Sequence, residues 1–457
     1  MDLKTFFEAK SIAVIGASRS QNKAGHVIFR NFIDVEYEKF GNKIFPINSQ
    51  AEEILGRKSY SSVLDVKDEI DLAIIAIPAQ DVLDILKECA KKGIKHVVII
   101  SSGFSEIGNE KEEEKISKFL EEKKMFALGV NCLGILDAYT QLDTIFTPRS
   151  RLQRPKKGCI SLICQSGAVG STLVDLMARE GYGLAKFISY GNATSLTETD
   201  FLEYLGEDEN TKVICVYIEG LKNGRRFLEV AKKVSVKKPI IAIKAGVTQE
   251  GSKAVKSHTG ALAGDAEIYT GIFKQGGIIQ ASNIEEMFDS ARMLEKSVKP
   301  RGCKIQIITN GGGYGILTVD AIIKNKLQLA EMDQSIQKQL KKQLLNIAVI
   351  GNPIDLTGSA TTEHYKAAID ACLEDKEVNI VLVIMLPQTP LITTEIVDVI
   401  IEAKQQAKKP ICVVSVGGEF TELLKKDMEQ QGVPCFSFPL NAANALREFC
   451  EYYSAKK

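Results

Sequence analysis

The chain has almost no histidine, four residues in 457, and it has no net charge, with 58 basic and 58 acidic side chains. A balanced charge removes the long-range field that draws proteins to nucleic acid or to anionic membranes, so neither is expected as a partner. Any anion must be bound locally. The ten cysteines show no CxxC and no metal-ligand spacing, so no metal site is expected and the plain reading is reduced, buried thiols in a cytosolic protein. The longest apolar runs, such as Ile380–Leu386 (IVLVIML), are far too short to span a bilayer, and the opening MDLKTFFEAK lacks the apolar stretch of a signal peptide. The expectation is a soluble, cytoplasmic protein. Low-complexity sequence is missing, and so is the G-x-x-x-x-G-K-[ST] loop that would announce an intrinsic nucleotide site.

What is present is an alternation of short β-branched runs with longer amphipathic stretches, the mark of α/β folds with mainly parallel sheets covered by helices. A chain of 457 residues exceeds one hydrophobic core, and three blocks can be separated. Residues 1–150 carry SIAVIG, KIFPIN, DLAIIAIP and HVVIISSG and end in the basic stretch TPRSRLQRPKKG, read as a linker. Residues 158–297 carry CISLICQSG, AKFISYGN, VICVYIEG and PIIAIKAG. Residues 302–457 carry CKIQIITNGG, VNIVLVIMLP and KPICVVSVGG.

A weak internal repeat joins the second and third blocks. Gln165–Gly170 (QSGAVG) and Asn310–Gly315 (NGGGYG) both read amide, small, Gly, two residues, Gly, and both directly follow an apolar strand. A strand-turn-helix of this kind exposes the first N–H groups of the helix, and the aligned peptide dipoles favour an anion there. Two phosphate-sized sites result, or one shared by two helices; the competing explanation is that the glycines only permit a tight turn and close packing. His258 argues for function. It lies in Lys256–Gly264 (KSHTGALAG), among residues too small to pack against it, which suits a site that another molecule approaches closely. His26, His96 and His364 have ordinary surroundings and are expected to pack or cap.

The first block begins like a dinucleotide fold, with Gly16 after its first strand, but ASRSQNKAG does not complete G-x-G-x-x-G. The second strand ends on Asn48, where an acidic residue would hold a nicotinamide nucleotide's ribose. Ser18 and Arg19 could meet phosphates, and Ser101–Glu106 (SSGFSE) offers a second glycine turn at a strand's carboxyl end.

These motifs, with NCLG, YIEG, SHTGALAG, TNGGGYG and GNPIDLTG in the same order, resemble the α subunit of ADP-forming acetyl-CoA and acyl-CoA synthetases, relatives of succinyl-CoA synthetase. The resemblance spans almost the whole chain. It implies a Rossmann-like CoA-binding domain followed by two flavodoxin-like domains, the first bearing a phosphohistidine. By that resemblance His258 is the phosphorylated residue and Glu219 the acid that orients it. Ser166, Gly167, Gly312 and Gly313 fall where phosphate is held. Gly16, Ser18, Arg19, Asn48, Gly103, Phe104, Asn131 and Cys132 fall where coenzyme A is expected. After SYGN the family commonly has an aspartate, whereas this chain has Ala193, and no catalytic role is given to that loop.

The expected reaction interconverts acyl-CoA, phosphate and ADP with the carboxylic acid, coenzyme A and ATP, through an acyl phosphate and phosphorylated His258. The chain ends at EYYSAKK without room for an ATP-grasp domain, so ADP/ATP and Mg2+ are expected on a separate β subunit, in an α2β2 assembly. Two other readings are open: a non-catalytic module that senses CoA or a nucleotide, and a nicotinamide-dependent dehydrogenase, which Asn48 and the first glycine turn disfavour.

Overall fold

The structure is a computed structural model that describes residues 2–253 and 266–455. His258 and its loop therefore lie outside the described residues. The chain divides into two compact units, Met1–Gln280 and Ala281–Lys457. Among the described residues no helix is long and apolar enough to cross a membrane.

The first unit contains two sheets. In the first, the parallel strands lie in the order Lys43–Ile47, Ser11–Ile15, Leu72–Ile75, His96–Ile99 and Phe126–Gly129. Counting only these strands in chain order, the arrangement is 2-1-3-4-5, a dinucleotide fold without its outermost strand. The second sheet repeats it: Leu184–Ser189, Lys157–Cys164, Val213–Ile218, Ile240–Lys244 and Ile279–Gln280 are parallel. Gly134–Asp137 adds to its edge as an antiparallel strand, a pairing the sequence did not announce. In the second unit the order Gln328–Leu329, Lys304–Thr309, Ile380–Ile384, Ile411–Val414, Cys435–Phe436 is the same again, with Ile354–Asp355 paired to the end of Lys304–Thr309.

Strands this apolar can be stable only if both faces are covered. Successive side chains point to opposite faces, and in the first sheet Ile12, Val14, Leu72 and Ile74 enter one core while Ala13, Ile15, Ala73 and Ile75 enter another. The first of these cores continues without a break through Ile163, Ile188, Ile214 and Val216 of the second sheet, so the two sheets of this unit share it. Each Ile or Val buried in this way contributes roughly 1.5–3 kcal/mol.

A disulfide corrects the sequence reading, and two other features add to it. The basic stretch after residue 146 is anchored: Arg149 and Arg154 both grip the fully buried Asp143, at 2.9 Å each. Cys303 and Cys450 form a disulfide, with Cα atoms 6.0 Å apart; the other eight cysteines are free thiols, seven of them buried. Helix Ile284–Lys296 packs on the C-terminal helix Pro439–Ser454, where Ser290 Oγ donates to Glu448.

Candidate functional site

In an open sheet ordered 2-1-3-4-5, the connections from strands 1 and 3 run to opposite faces, which opens a crevice at the carboxyl end of strand 1. All three first strands of this chain end there in a glycine turn: Gly16, Ser166–Gly167 and Gly311–Gly312. The repeat found in the sequence is thus a repeat of switch points, and every expected site residue in the described regions lies on a segment following a strand.

At the first switch point the backbone is crowded. Gly16 has φ +87°, and a Cβ on it would lie 2.3 Å from Ala76 O; a Cβ on Gly25 would lie 2.0 Å from Gly16 O. Only glycine lets helix Ala24–Asp34 start this close to the strand. That second glycine falls outside the G-x-G-x-x-G spacing, which is why motif matching misses it. The helix begins without a side-chain cap, next to half-buried Ser18 and exposed Arg19. His26 Nδ1 lies 2.7 Å from Ser18 O, an acceptor, so the proton is on Nδ1; its buried Nε2 has no partner. An uncapped helix start and an orphaned ring nitrogen fit a ligand with phosphate or hydroxyl groups. Asn48 reaches back to the same turn, donating from Nδ2 to Ala17 O at 2.7 Å.

The remaining residues of the expected CoA group are partly spent on the protein itself. Glu106 Oε1 accepts from the amides of Gly103 and Phe104, and Phe104 is buried in the core. Burial alone would raise the Glu106 carboxyl, but these amides and Asn192 outweigh it and hold it below the usual range. Asn131 donates to Asn192 Oδ1 at 3.2 Å. Cys132 is enclosed, its thiol donating to Ile99 O at 3.3 Å, and burial pushes its pKa up to about 12, so it is no nucleophile.

At the second switch point Ser166 caps helix Gly167–Glu180, its Oγ accepting from Val169 N at 3.3 Å. Gly170 is a packing glycine: a Cβ there would lie 2.7 Å from the Phe187 ring. Gly167 has room, and its amide and that of Ala168 have no hydrogen-bond partner among the described residues. Glu219, 5% exposed, follows the neighbouring strand Val213–Ile218. Lys244 ends the next strand, opposite Ile218; its ammonium lies 4.6 Å from the Tyr269 ring centre. Burial lowers the Lys244 pKa, and the charge of Glu219 offsets part of that. In sequence the segment carrying His258 lies between this strand, which pairs with the strand before Glu219, and helix Ala266–Gly276, whose Tyr269 accepts from Leu221 N just after Glu219.

At the third switch point, helix Gly312–Lys324 starts without a side-chain cap. Gly315 is the packing glycine, with Pro353 Cγ 3.0 Å from a Cβ position, whereas Gly313 is open. Asp355 was legible only as part of a motif. Its Oδ2 lies 2.8 Å from where a Gly312 Cβ would be, so it sits at the mouth of the turn. Of the other histidines, His96 and His364 behave as expected, with His96 Nε2 3.0 Å from Asp2 O and His364 Nδ1 accepting from Thr361 N at 3.0 Å, while His26 holds the first turn but keeps a buried ring nitrogen unpartnered. Among the described residues no group of three His, Cys, Asp or Glu could hold a metal ion.

Comparison with known proteins agrees with this layout. A CoA binding domain matches residues 10–138, a succinyl-CoA ligase like flavodoxin domain matches 157–294, and a ligase-CoA domain matches 305–449. The α subunit of acetate–CoA ligase (ADP-forming) II of Pyrococcus furiosus is 40% identical over 97% of this chain and 96% of its own. Acetate–CoA ligase (ADP-forming) of Methanocaldococcus jannaschii is 42% identical over 99% of this chain, which covers 63% of that longer protein. Among solved structures, the dinucleotide forming acetyl-coenzyme A synthetase 1 of Ca. Korarchaeum cryptofilum, in complex with phosphate and ADP, superposes with a TM-score of 0.93. It is 36% identical and covers 100% of this chain and 97% of its own. The three switch-point domains, their order and this relationship over nearly the full length of an α subunit lead to one conclusion: the chain belongs to the ADP-forming acetate–CoA ligase family, as a relative of its α subunits.

Proposed function

We propose that this chain is the α subunit of an ADP-forming acyl-CoA synthetase that makes and breaks the thioester and carries the phosphoryl group on His258. Running toward ATP, a phosphate oxygen attacks the thioester carbonyl; the C–S bond breaks, coenzyme A leaves as the thiolate and takes up a proton, and an acyl phosphate remains. An imidazole nitrogen of His258 then attacks phosphorus and the carboxylic acid leaves as carboxylate. The phosphohistidine finally gives its phosphoryl group to ADP, regenerating the imidazole.

The observation that carries this reading is the second switch point. An open helix start with unspent amides follows the strand paired with the one that delivers buried Glu219, and the strand that precedes the His258 segment in sequence is the next neighbour in that sheet. Peptide dipoles and unpaired N–H groups hold a phosphate and spread its charge. A carboxylate beside one imidazole nitrogen fixes the tautomer and leaves the other nitrogen free to attack. Ser166 and Gly167 serve phosphate here, as do Gly312 and Gly313 at the third turn. The coenzyme binds along the first switch point, at Gly16, Ser18, Arg19 and Asn48, with the Gly103, Phe104, Asn131 and Cys132 loops shaping its far side. ADP/ATP and Mg2+ belong to an ATP-grasp β subunit, in an α2β2 assembly within the cytoplasm; the longer M. jannaschii relative has room for such a part on one chain.

The test is to follow ATP formation from acetyl-CoA, phosphate and ADP. The pure chain is expected to form none, and adding the partner subunit is expected to start turnover. Robust ATP synthesis by the rigorously pure chain would refute the division of labour.

A further inference from the structure

The amide residue that opens the second glycine turn has a task that neither the phosphate site nor the family match assigns. Gln165 stands at the end of strand Lys157–Cys164, half-buried, and its Oε1 receives three donors. Glu219 N lies at 2.9 Å, Gly220 N at 3.1 Å and the hydroxyl of fully buried Tyr190 at 3.1 Å. Three converging donors leave no doubt which end of the amide faces them. The next amide, Leu221 N, donates to Tyr269 Oη at 3.0 Å. Three successive N–H groups of the Glu219–Gly220–Leu221 turn are therefore held by side chains from two other elements. The backbone that carries the Glu219 carboxylate is thereby held at three successive amides.

We infer that Gln165 is a positioning residue for Glu219: it locks the turn that aims the carboxylate, and acts on phosphoryl transfer only through that carboxylate. The inference rests on the reading of Glu219 given above. The third sheet supports it independently. There Asn310, in the same place of the repeat, uses Oδ1 to accept from Leu386 N at 3.0 Å, again just beyond the third strand. Pinning the neighbouring strand's exit is thus the general function of the amide in this turn. Only in the second sheet does that exit carry an acid.

The experiment is a double-mutant cycle on the full-length chain, with acetyl-CoA and radioactive phosphate as probes and the initial rate of acid-labile labelling as readout. Gln165→Met removes the acceptor and is expected to slow labelling about tenfold or more while CoA affinity stays within about twofold. In a Glu219→Gln background the same change is expected to cost less than about twofold, because the group through which it acts is already gone. Tyr269→Phe, which releases only Leu221 N, is expected to show the same pattern at about threefold, and it carries the cycle if Gln165→Met fails to fold. Equal fractional losses in both backgrounds would reduce Gln165 to a structural support and overturn the inference, as would a Gln165→Met chain that labels at the wild-type rate. A Glu219→Gln chain as fast as wild type would remove the reading of Glu219 itself, and this inference with it.

Discussion

The second and third sheets present nearly the same turn and use it differently. Both begin with an amide whose carbonyl holds the exit of the third strand, and both end in a glycine placed for packing, Gly170 against Phe187 and Gly315 against Pro353. In the second sheet the exit held by Gln165 bears Glu219, and buried Lys244 ends the neighbouring strand. In the third, Asn310 holds Leu386, and the acid near the turn, Asp355, arrives from the opposite flank on the strand paired with Thr309. Other charges of the second unit lie elsewhere: buried Glu429 and Glu448 and half-buried Arg292 and Lys296 tie helices Ile284–Lys296 and Pro439–Ser454 to their surroundings. The same local sequence thus holds a strand exit in both sheets, and the exits differ in what they carry, an acid in the second and an apolar residue in the third.

Steric change at the third turn gives the larger of two effects that sharpen this contrast. A side chain on Gly312 must displace the Asp355 carboxylate and cover the helix amides. Gly312→Val is expected to raise the phosphate KM about tenfold through lost charge-assisted hydrogen bonds, with CoA affinity within about twofold. Gly418→Ala, which would meet nothing within 4 Å and lies outside the expected sites, is the control and should match wild type. Loss of CoA binding with unchanged phosphate dependence in Gly312→Val would break the assignment of an anion to this turn.

A smaller effect tests whether the third domain's buried charges concern stability rather than turnover. Burial, outweighing its bond from Ser290, pushes the Glu448 carboxyl from 4.5 up to about 8. Between those values the folded protein keeps it neutral while the unfolded chain ionises it. The stability it contributes is therefore complete below about 4.5 and lost as pH rises to about 8. Glu448→Gln cannot ionise, so its Tm is expected to gain on wild type across that window by several degrees. Lys296, which burial lowers from 10.5 to about 8, acts only above the window. Parallel melting curves of the two proteins from pH 4.5 to 8 would contradict this account.

Much of the architecture was readable because it is local. Apolar runs fixed the main strands, and turn glycines fixed the switch points, since both follow from residues next to one another. The coenzyme and phosphohistidine assignments came from motif order. What stayed hidden depends on partners distant in the chain. Gln165 is visibly an amide, but nothing nearby says that its acceptor meets Glu219, 54 residues on. Gly25 looks like any helix glycine until Gly16 packs against it. Cys303 and Cys450, separated by 147 residues, read as two unrelated thiols. Glu106 is visible only as the last residue of a glycine turn, and nothing local says that its carboxylate takes the Gly103 and Phe104 amides.

The measurement that goes most directly to the central claim is the location of the phosphoryl group. Wild-type chain incubated with acetyl-CoA and radioactive phosphate is expected to acquire acid-labile, base-stable label on the peptide containing His258. The His258→Asn chain is expected to acquire none while binding coenzyme A as well as wild type does. Label of equal intensity on the His258→Asn chain would contradict the account.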